Sequence, residues 1–134
     1  MTRFAIDAPT ALLIVWERIP VAAGDQLVAP SVLRSHALSL LYREVRDGDL
    51  DERTAQAQLR DLAGLTVRLL GDRVSRATAW KLAAELQWDD TPLAEYLAVA
   101  VLQADVLVTD DAELSSGASG RIPVSPSASL AERP

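Results

Sequence analysis

Short apolar segments alternate with amphipathic ones along this chain, and the apolar segments are typical of buried strands. The predicted strands cover residues 4–7, 66–70 and 106–109, with a short edge strand at 122–124. Residues 27–29 are apolar too, but they run directly into Pro30 and Ser31, a plausible helix start. They are therefore predicted to be a link between two elements and not a strand.

Helical periodicity fills most of the remaining sequence. The i, i+4, i+7, i+8 spacing of one helical face is formed by Leu33, Ala37, Leu40 and Leu41. A capping box predicts Asp49 as the N-cap of the next helix, because a glutamate follows it three residues later. The predicted helices cover residues 11–16, 31–45, 50–63, 74–86 and 92–101, and a loop of small residues covers 115–120.

This alternation of strands and helices predicts an α/β fold with right-handed crossovers and a parallel sheet. Helices on both faces would bury the strands completely, which explains why the strand at 106–109 is apolar throughout. The predicted architecture is a three-layer α/β/α domain with a short parallel sheet, formed by residues 1–125. Residues 126–134 are predicted to be a flexible C-terminal tail.

Composition narrows the range of functions. A chain of 134 residues with 49% hydrophobic residues can build one domain with a substantial core. Its cysteine count of 0 excludes disulfides and thiolate metal sites. The sequence shows no signal peptide and no apolar run of the roughly 20 residues that span a bilayer, so we expect a cytoplasmic protein without membrane contact.

The acidic balance of the chain restricts how it could bind nucleic acid. A net charge of −6 argues against constitutive, non-specific binding, for which proteins are normally basic. Transient binding at a small local site with a bound cation remains compatible with this charge, and so does a basic protein partner.

Two acidic residues follow predicted strands about a hundred residues apart. Asp7 ends the first strand, and Asp111 follows the strand at 106–109. Strand carboxyl ends gather at one edge of a parallel sheet, where ligands bind, so the two carboxylates are predicted to share a cleft that suits Mg²⁺ or Mn²⁺. The alternative is structural: Asp7 would cap a helix, and one of Asp110 and Asp111 would stabilise a turn. Asp111 is the favoured ligand of that pair.

Four stretches of the sequence, in this order, resemble the PIN domain, especially the small VapC-like toxins of bacterial toxin–antitoxin pairs. They are IDAPTALL, LVAPSVLRSHALSLL, DTPLAEYLAVAVL and VLVTDDAEL, and the resemblance covers residues 3–124. The family cleaves single-stranded RNA with acidic residues that hold Mg²⁺ or Mn²⁺. The resemblance therefore implies that fold, that activity and those cofactors.

Carried over residue by residue, the resemblance assigns metal binding to Asp7 and Asp111, with Asp110 as an additional neighbour. Thr109 matches the family's hydroxyl residue at the end of the strand, and Thr10 is expected to replace a hydroxyl at the neighbouring position, which is proline here. These two threonines are expected near the substrate.

Two further acids of the family pattern are replaced in this chain. One position is His36, which is expected to contact substrate, although a lone histidine beside an apolar stripe is more often a tolerated, partly buried residue. The other is Leu93, which cannot bind a metal. Replacement acids could come from Asp89, Asp90 or Glu95, although acids there also complement a helix N-terminus.

The resemblance thus implies a ribonuclease scaffold with reduced or lost activity. Its expected partners are a cognate antitoxin, single-stranded RNA and a second copy of the chain in a homodimer. The alternative is a catalytically inactive PIN-like module that binds protein or RNA.

Overall fold

The structure is a computed structural model that describes residues 1–132. Its strands are β1 (Arg3–Ile6), β2 (Gln26–Pro30), β3 (Arg68–Leu70), β4 (Val106–Val108) and β5 (Val124–Ser125). Its helices are α1 (Ala8–Glu17), α2 (Leu33–Arg46), α3 (Glu52–Ala63), α4 (Arg73–Glu85), α5 (Pro92–Gln103) and α6 (Ala112–Ala118). A 3₁₀ helix covers Ser127–Glu132.

The five strands form one parallel sheet in the order β3-β2-β1-β4-β5. Helices α1, α2 and α3 pack against one another, while α5 packs on β1, β2 and β4 with α4 and α6 beside it. With right-handed crossovers these groups cover opposite faces of the sheet. The predicted three-layer α/β/α fold is confirmed, and among residues 1–132 no helix is long and apolar enough to cross a membrane.

The prediction that residues 27–29 form a link was wrong, because they lie within β2. This strand pairs with β1 on one side and with β3 on the other, and Leu27, Val28 and Ala29 are fully buried. A strand so enclosed shows no alternation of polar and apolar residues. Its last residue is Pro30, which still pairs with Leu70 of β3, and α2 begins three residues later at Leu33.

The predicted loop at 115–120 was also wrong, since residues up to Ala118 belong to α6. Small residues are needed here because the helix approaches Trp88 closely: a Cβ atom on Gly117 would lie 2.5 Å from the indole ring. The glycine is therefore a packing feature of a helix and not a sign of irregular chain. The sequence does not reveal this, because the tryptophan is distant along the chain.

The predicted flexible tail is folded as far as it is described. Residues 127–132 form the 3₁₀ helix, Leu130 is 8% exposed within the core, and Ser127 is buried. Leu130 lines a pocket with Phe4 and Ile14 at the β1 and α1 end of the core, and its burial helps to hold this short segment. Residues 133–134 lie outside the described part of the chain.

Helix α3 begins later than its sequence suggested. The N-cap is Asp51 and not Asp49: the Asp51 carboxylate accepts hydrogen bonds from the backbone N–H and the hydroxyl of Thr54, at 3.0 and 2.6 Å. Two acids two residues apart compete for this position, and the one whose third following residue offers both donors becomes the cap.

Candidate functional site

Asp7 lies at the carboxyl end of β1, the central strand, and is 4% exposed. One of its oxygens, Oδ1, accepts the backbone N–H of Thr10 at 3.0 Å, so Asp7 is the N-cap of α1. The capping interpretation is thus correct for one oxygen. The second oxygen has a different partner, on the neighbouring strand.

Thr109 connects the two predicted acids. It directly follows β4, and its hydroxyl donates to Asp7 Oδ2 at 2.5 Å and accepts the backbone N–H of Asp111 at 3.0 Å. Asp7 and Thr109 are 102 positions apart in sequence. The parallel pairing of Ile6 with Val108 in adjacent strands brings Asp7 and Thr109 together at the carboxyl edge of the sheet. That the carboxylates of Asp7 and Asp111 share one cleft stays a prediction.

The two neighbouring acids after β4 have different surroundings. Asp111 is exposed and caps α6, with Oδ1 accepting the N–H of Leu114 at 2.8 Å. Asp110 instead accepts both the hydroxyl and the backbone N–H of Ser127, and these two bonds, the hydroxyl first, hold the pKa of Asp110 below its usual range. Asp110 therefore anchors the 3₁₀ helix, and its predicted place as a metal ligand is not supported.

Thr10 does not face a substrate as predicted. Its side chain is buried, and its hydroxyl lies 3.3 Å from the backbone oxygen of Val108, to which it donates. This contact links α1 to β4 directly behind the site. Thr10 therefore supports the position of Asp7 and is itself inaccessible.

His36 pairs with a residue that sequence reasoning missed. Its Nδ1 lies 2.8 Å from the hydroxyl of Tyr96, and the two rings are 5.7 Å apart between centroids. Burial lowers the pKa of the His36 imidazole; the charge of Asp7 acts against this shift, and the charge of Arg43 adds to it. The one sequence signal for Tyr96 is a hydroxyl at the start of the apolar run in α5, where a buried hydroxyl needs a hydrogen-bond partner.

Tyr96 lies close to two carboxylates. Burial raises the pKa of its hydroxyl well above its usual range, the charges of Asp7 and Glu95 raise it further, and the backbone N–H of Ala8 acts in the opposite sense as a hydrogen-bond donor. The phenol thus remains protonated at neutral pH. Asp7, His36, Tyr96 and Glu95 together form an electrostatically connected group.

Among the possible replacement acids, Glu95 is the one whose charge acts on Tyr96. It is partly buried, and burial raises the pKa of its carboxyl group. Asp89 and Asp90 are exposed, and Asp90 accepts the N–H of Thr91 at 2.8 Å. Leu93 is partly buried and packs against the core. Within residues 1–132, no three histidine, aspartate or glutamate side chains are arranged to hold a metal ion.

Comparison with known proteins identifies a similar fold. The crystal structure of PAE2754 from Pyrobaculum aerophilum matches with a TM-score of 0.77 and 21% sequence identity, over 98% of this chain and 96% of that one. At this identity the likeness shows the fold alone. No protein-family model matches the chain. No curated protein matches it either.

Proposed function

We propose that this protein is a PIN-like domain of the VapC toxin type, whose scaffold is that of a Mg²⁺- or Mn²⁺-dependent endonuclease for single-stranded RNA. Its activity is reduced or lost, because two expected acids are His36 and Leu93. The observation that carries the proposal is the hydrogen-bonded connection Asp7–Thr109–Asp111 at the carboxyl edge of adjacent strands. Ligands of open α/β sheets bind at such an edge.

The residues at this edge fit a weak site for a hard cation. Asp7 and Asp111 would hold it, and Mg²⁺ accepts one or two carboxylates when water and substrate phosphates complete its shell. A bound cation would supply an activated water and offset negative charge on the phosphate. Asp7 uses one oxygen for Thr10 and the other for Thr109, while Asp111 uses Oδ1 for Leu114, which leaves few free lone pairs.

The second candidate function is a catalytically inactive module that binds RNA or protein. It is favoured because the side chains at the two substituted positions already have partners within the protein. The His36 ring nitrogen Nδ1 is bonded to Tyr96, and Leu93 packs on the core where an acid would need water. Both features stabilise the fold at the expense of a hydrated cation site.

Exposed aromatic side chains support the proposed protein partners, a cognate antitoxin and a second copy of the chain. Trp16, Tyr42 and Trp80 are exposed by 60%, 63% and 75%. Aromatic residues are enriched at protein interfaces. Light scattering after size-exclusion chromatography tests the homodimer, and co-expression with the product of the adjacent gene tests the antitoxin.

RNA cleavage in Mn²⁺ separates the two candidate functions. We would compare the wild type, Asp7→Asn and the double variant His36→Glu with Leu93→Asp. Cleavage by the wild type that Asp7→Asn abolishes supports a working nuclease with a reduced set of acids. Cleavage by the double variant alone supports an intact scaffold that has lost its chemistry. If none of the three cleaves RNA, the nuclease proposal fails.

A further inference from the structure

The hydrogen bond between His36 and Tyr96 has a defined direction. Tyr96 is 1% exposed, and burial keeps its hydroxyl protonated at neutral pH. A buried hydroxyl hydrogen requires an acceptor. Among residues 1–132, the hydrogen-bond partner of this hydroxyl is His36 Nδ1, 2.8 Å away, whose lone pair can accept. Tyr96 therefore donates to His36.

This direction fixes the tautomer of the imidazole. A neutral histidine carries one N–H, so an acceptor at Nδ1 places the hydrogen on Nε2. Among residues 1–132, Arg3 Nε is the buried side-chain nitrogen or oxygen that lacks a hydrogen bond. His36 Nε2 also makes no hydrogen bond to these residues. Because it is not among the buried atoms without a partner, it must be exposed, and it is therefore an N–H donor that solvent can reach.

We propose that Tyr96 holds His36 as an Nε2–H donor, and that this donor binds a phosphate oxygen of single-stranded RNA instead of ligating a metal ion. The assignment of the ligand rests on the proposed function. Metal binding by imidazole needs a free lone pair, but Nδ1 has accepted a hydrogen bond and Nε2 carries the hydrogen. An anionic oxygen is the complementary partner of such a donor.

The surroundings of His36 suit a phosphate. The positive charge of Arg43, on the same helix, acts on the imidazole, and Arg43 is exposed. The negative charge of Asp7 also acts on the ring. In the proposed function a cation beside Asp7 offsets that charge, so the imidazole N–H and the guanidinium would contact the RNA strand next to the cation.

The tautomer can be measured directly, because the chain contains 1 histidine. A ¹⁵N-labelled sample gives one imidazole spin system, whose two nitrogens differ strongly in shift according to which carries the hydrogen. We expect a protonated Nε2 and an unprotonated Nδ1 at neutral pH in the wild type, and a loss of this fixed pattern in Tyr96→Phe. A hydrogen on Nδ1 in the wild type would overturn the inference, even if the protein cleaves RNA.

The ligand is tested by binding of a short, fluorescein-labelled single-stranded RNA in Ca²⁺ buffer, a hard cation with oxygen ligands. His36→Gln places an amide N–H near the Nε2 position and should keep most of the affinity. His36→Leu should weaken binding by about 10-fold or more, the loss expected for a hydrogen bond to a charged group. Equal affinities for all three proteins, equal losses in both variants, or no binding by the wild type would each overturn the phosphate assignment.

The two proposals fail in distinguishable ways. An Nε2–H tautomer with RNA binding that depends on His36, but without cleavage in Mn²⁺, retains this inference and removes the nuclease. Cleavage by a protein whose His36 carries its hydrogen on Nδ1 retains the nuclease and removes this inference.

Discussion

Replacing Thr109 with valine should destabilise the protein more than its size suggests. The substitution removes a hydroxyl that donates to the almost fully buried carboxylate of Asp7 at 2.5 Å and accepts the N–H of Asp111 at 3.0 Å. The shape of the side chain stays nearly the same, so the measured change reports the hydrogen bonds. Asp111 is exposed, and water can replace the partner of its N–H.

The expected magnitude follows from the loss at Asp7. A hydrogen bond to a charged group contributes about 1.5–3 kcal/mol, a figure that overlaps with the cost of leaving the buried acceptor unpaired, so the two are not added. The additional buried methyl group returns about 0.8 kcal/mol. The free energy of unfolding at pH 7 should therefore fall by about 1–2 kcal/mol.

Urea denaturation at pH 7 measures this change, and Thr10→Val is the matched control. Thr10 is equally buried, but its hydroxyl donates to a neutral carbonyl at a longer distance, 3.3 Å. The control should lose about 1 kcal/mol or less. Thr109→Ser keeps the hydroxyl and should stay close to wild type. A double-mutant cycle that combines Thr109→Val with Asp7→Asn should give a coupling energy of about 0.5–3 kcal/mol. Equal losses for Thr109→Val and Thr10→Val would refute this reasoning.

Three further predictions concern packing and pH. Leu130→Ala should lower the free energy of unfolding by about 2–3 kcal/mol in urea denaturation, because its side chain belongs to the core. Gly117→Ala should lower the thermal midpoint, since overpacking against Trp88 costs about 1–3 kcal/mol while helix propensity returns about 1. Ser127→Ala should lower the free energy of unfolding at pH 7, and this loss should shrink as the pH falls. The pKa of Asp110 is lowered in the folded protein, so its bonds to Ser127 stabilise the fold above the ordinary carboxyl pKa. That stabilisation is lost as the pH falls through the pKa of Asp110 in the folded protein.

The two packing predictions each have a comparison within the chain. Leu38→Ala removes an exposed leucine and should change stability by less than about 0.5 kcal/mol. Gly64→Ala adds a Cβ in ordinary contact at 3.5 Å and should not destabilise as Gly117→Ala does. A deficit of Ser127→Ala that stays constant from pH 7 into strong acid would contradict the role given to Asp110.

The sequence alone determined the fold class, and it predicted the acids that we propose for the candidate site. Alternating apolar runs and helical periodicity predicted an α/β fold, because a residue's preference for strand or helix is largely a local property. The positions of Asp7 and Asp111 at strand ends predicted their convergence, because parallel strands place all their carboxyl ends at one edge. The connection through Thr109 also required the pairing of β1 with β4, which only the tertiary structure shows.

Only the tertiary structure decided the features that depend on distant neighbours. β2 is a strand because two other strands flank it, and α6 is helical where small residues meet Trp88. Tyr96 meets His36 from a position 60 residues away, and Ser127 meets Asp110 across 17. Such contacts depend on packing between elements, and a local pattern of polar and apolar residues carries no record of which partner will lie opposite.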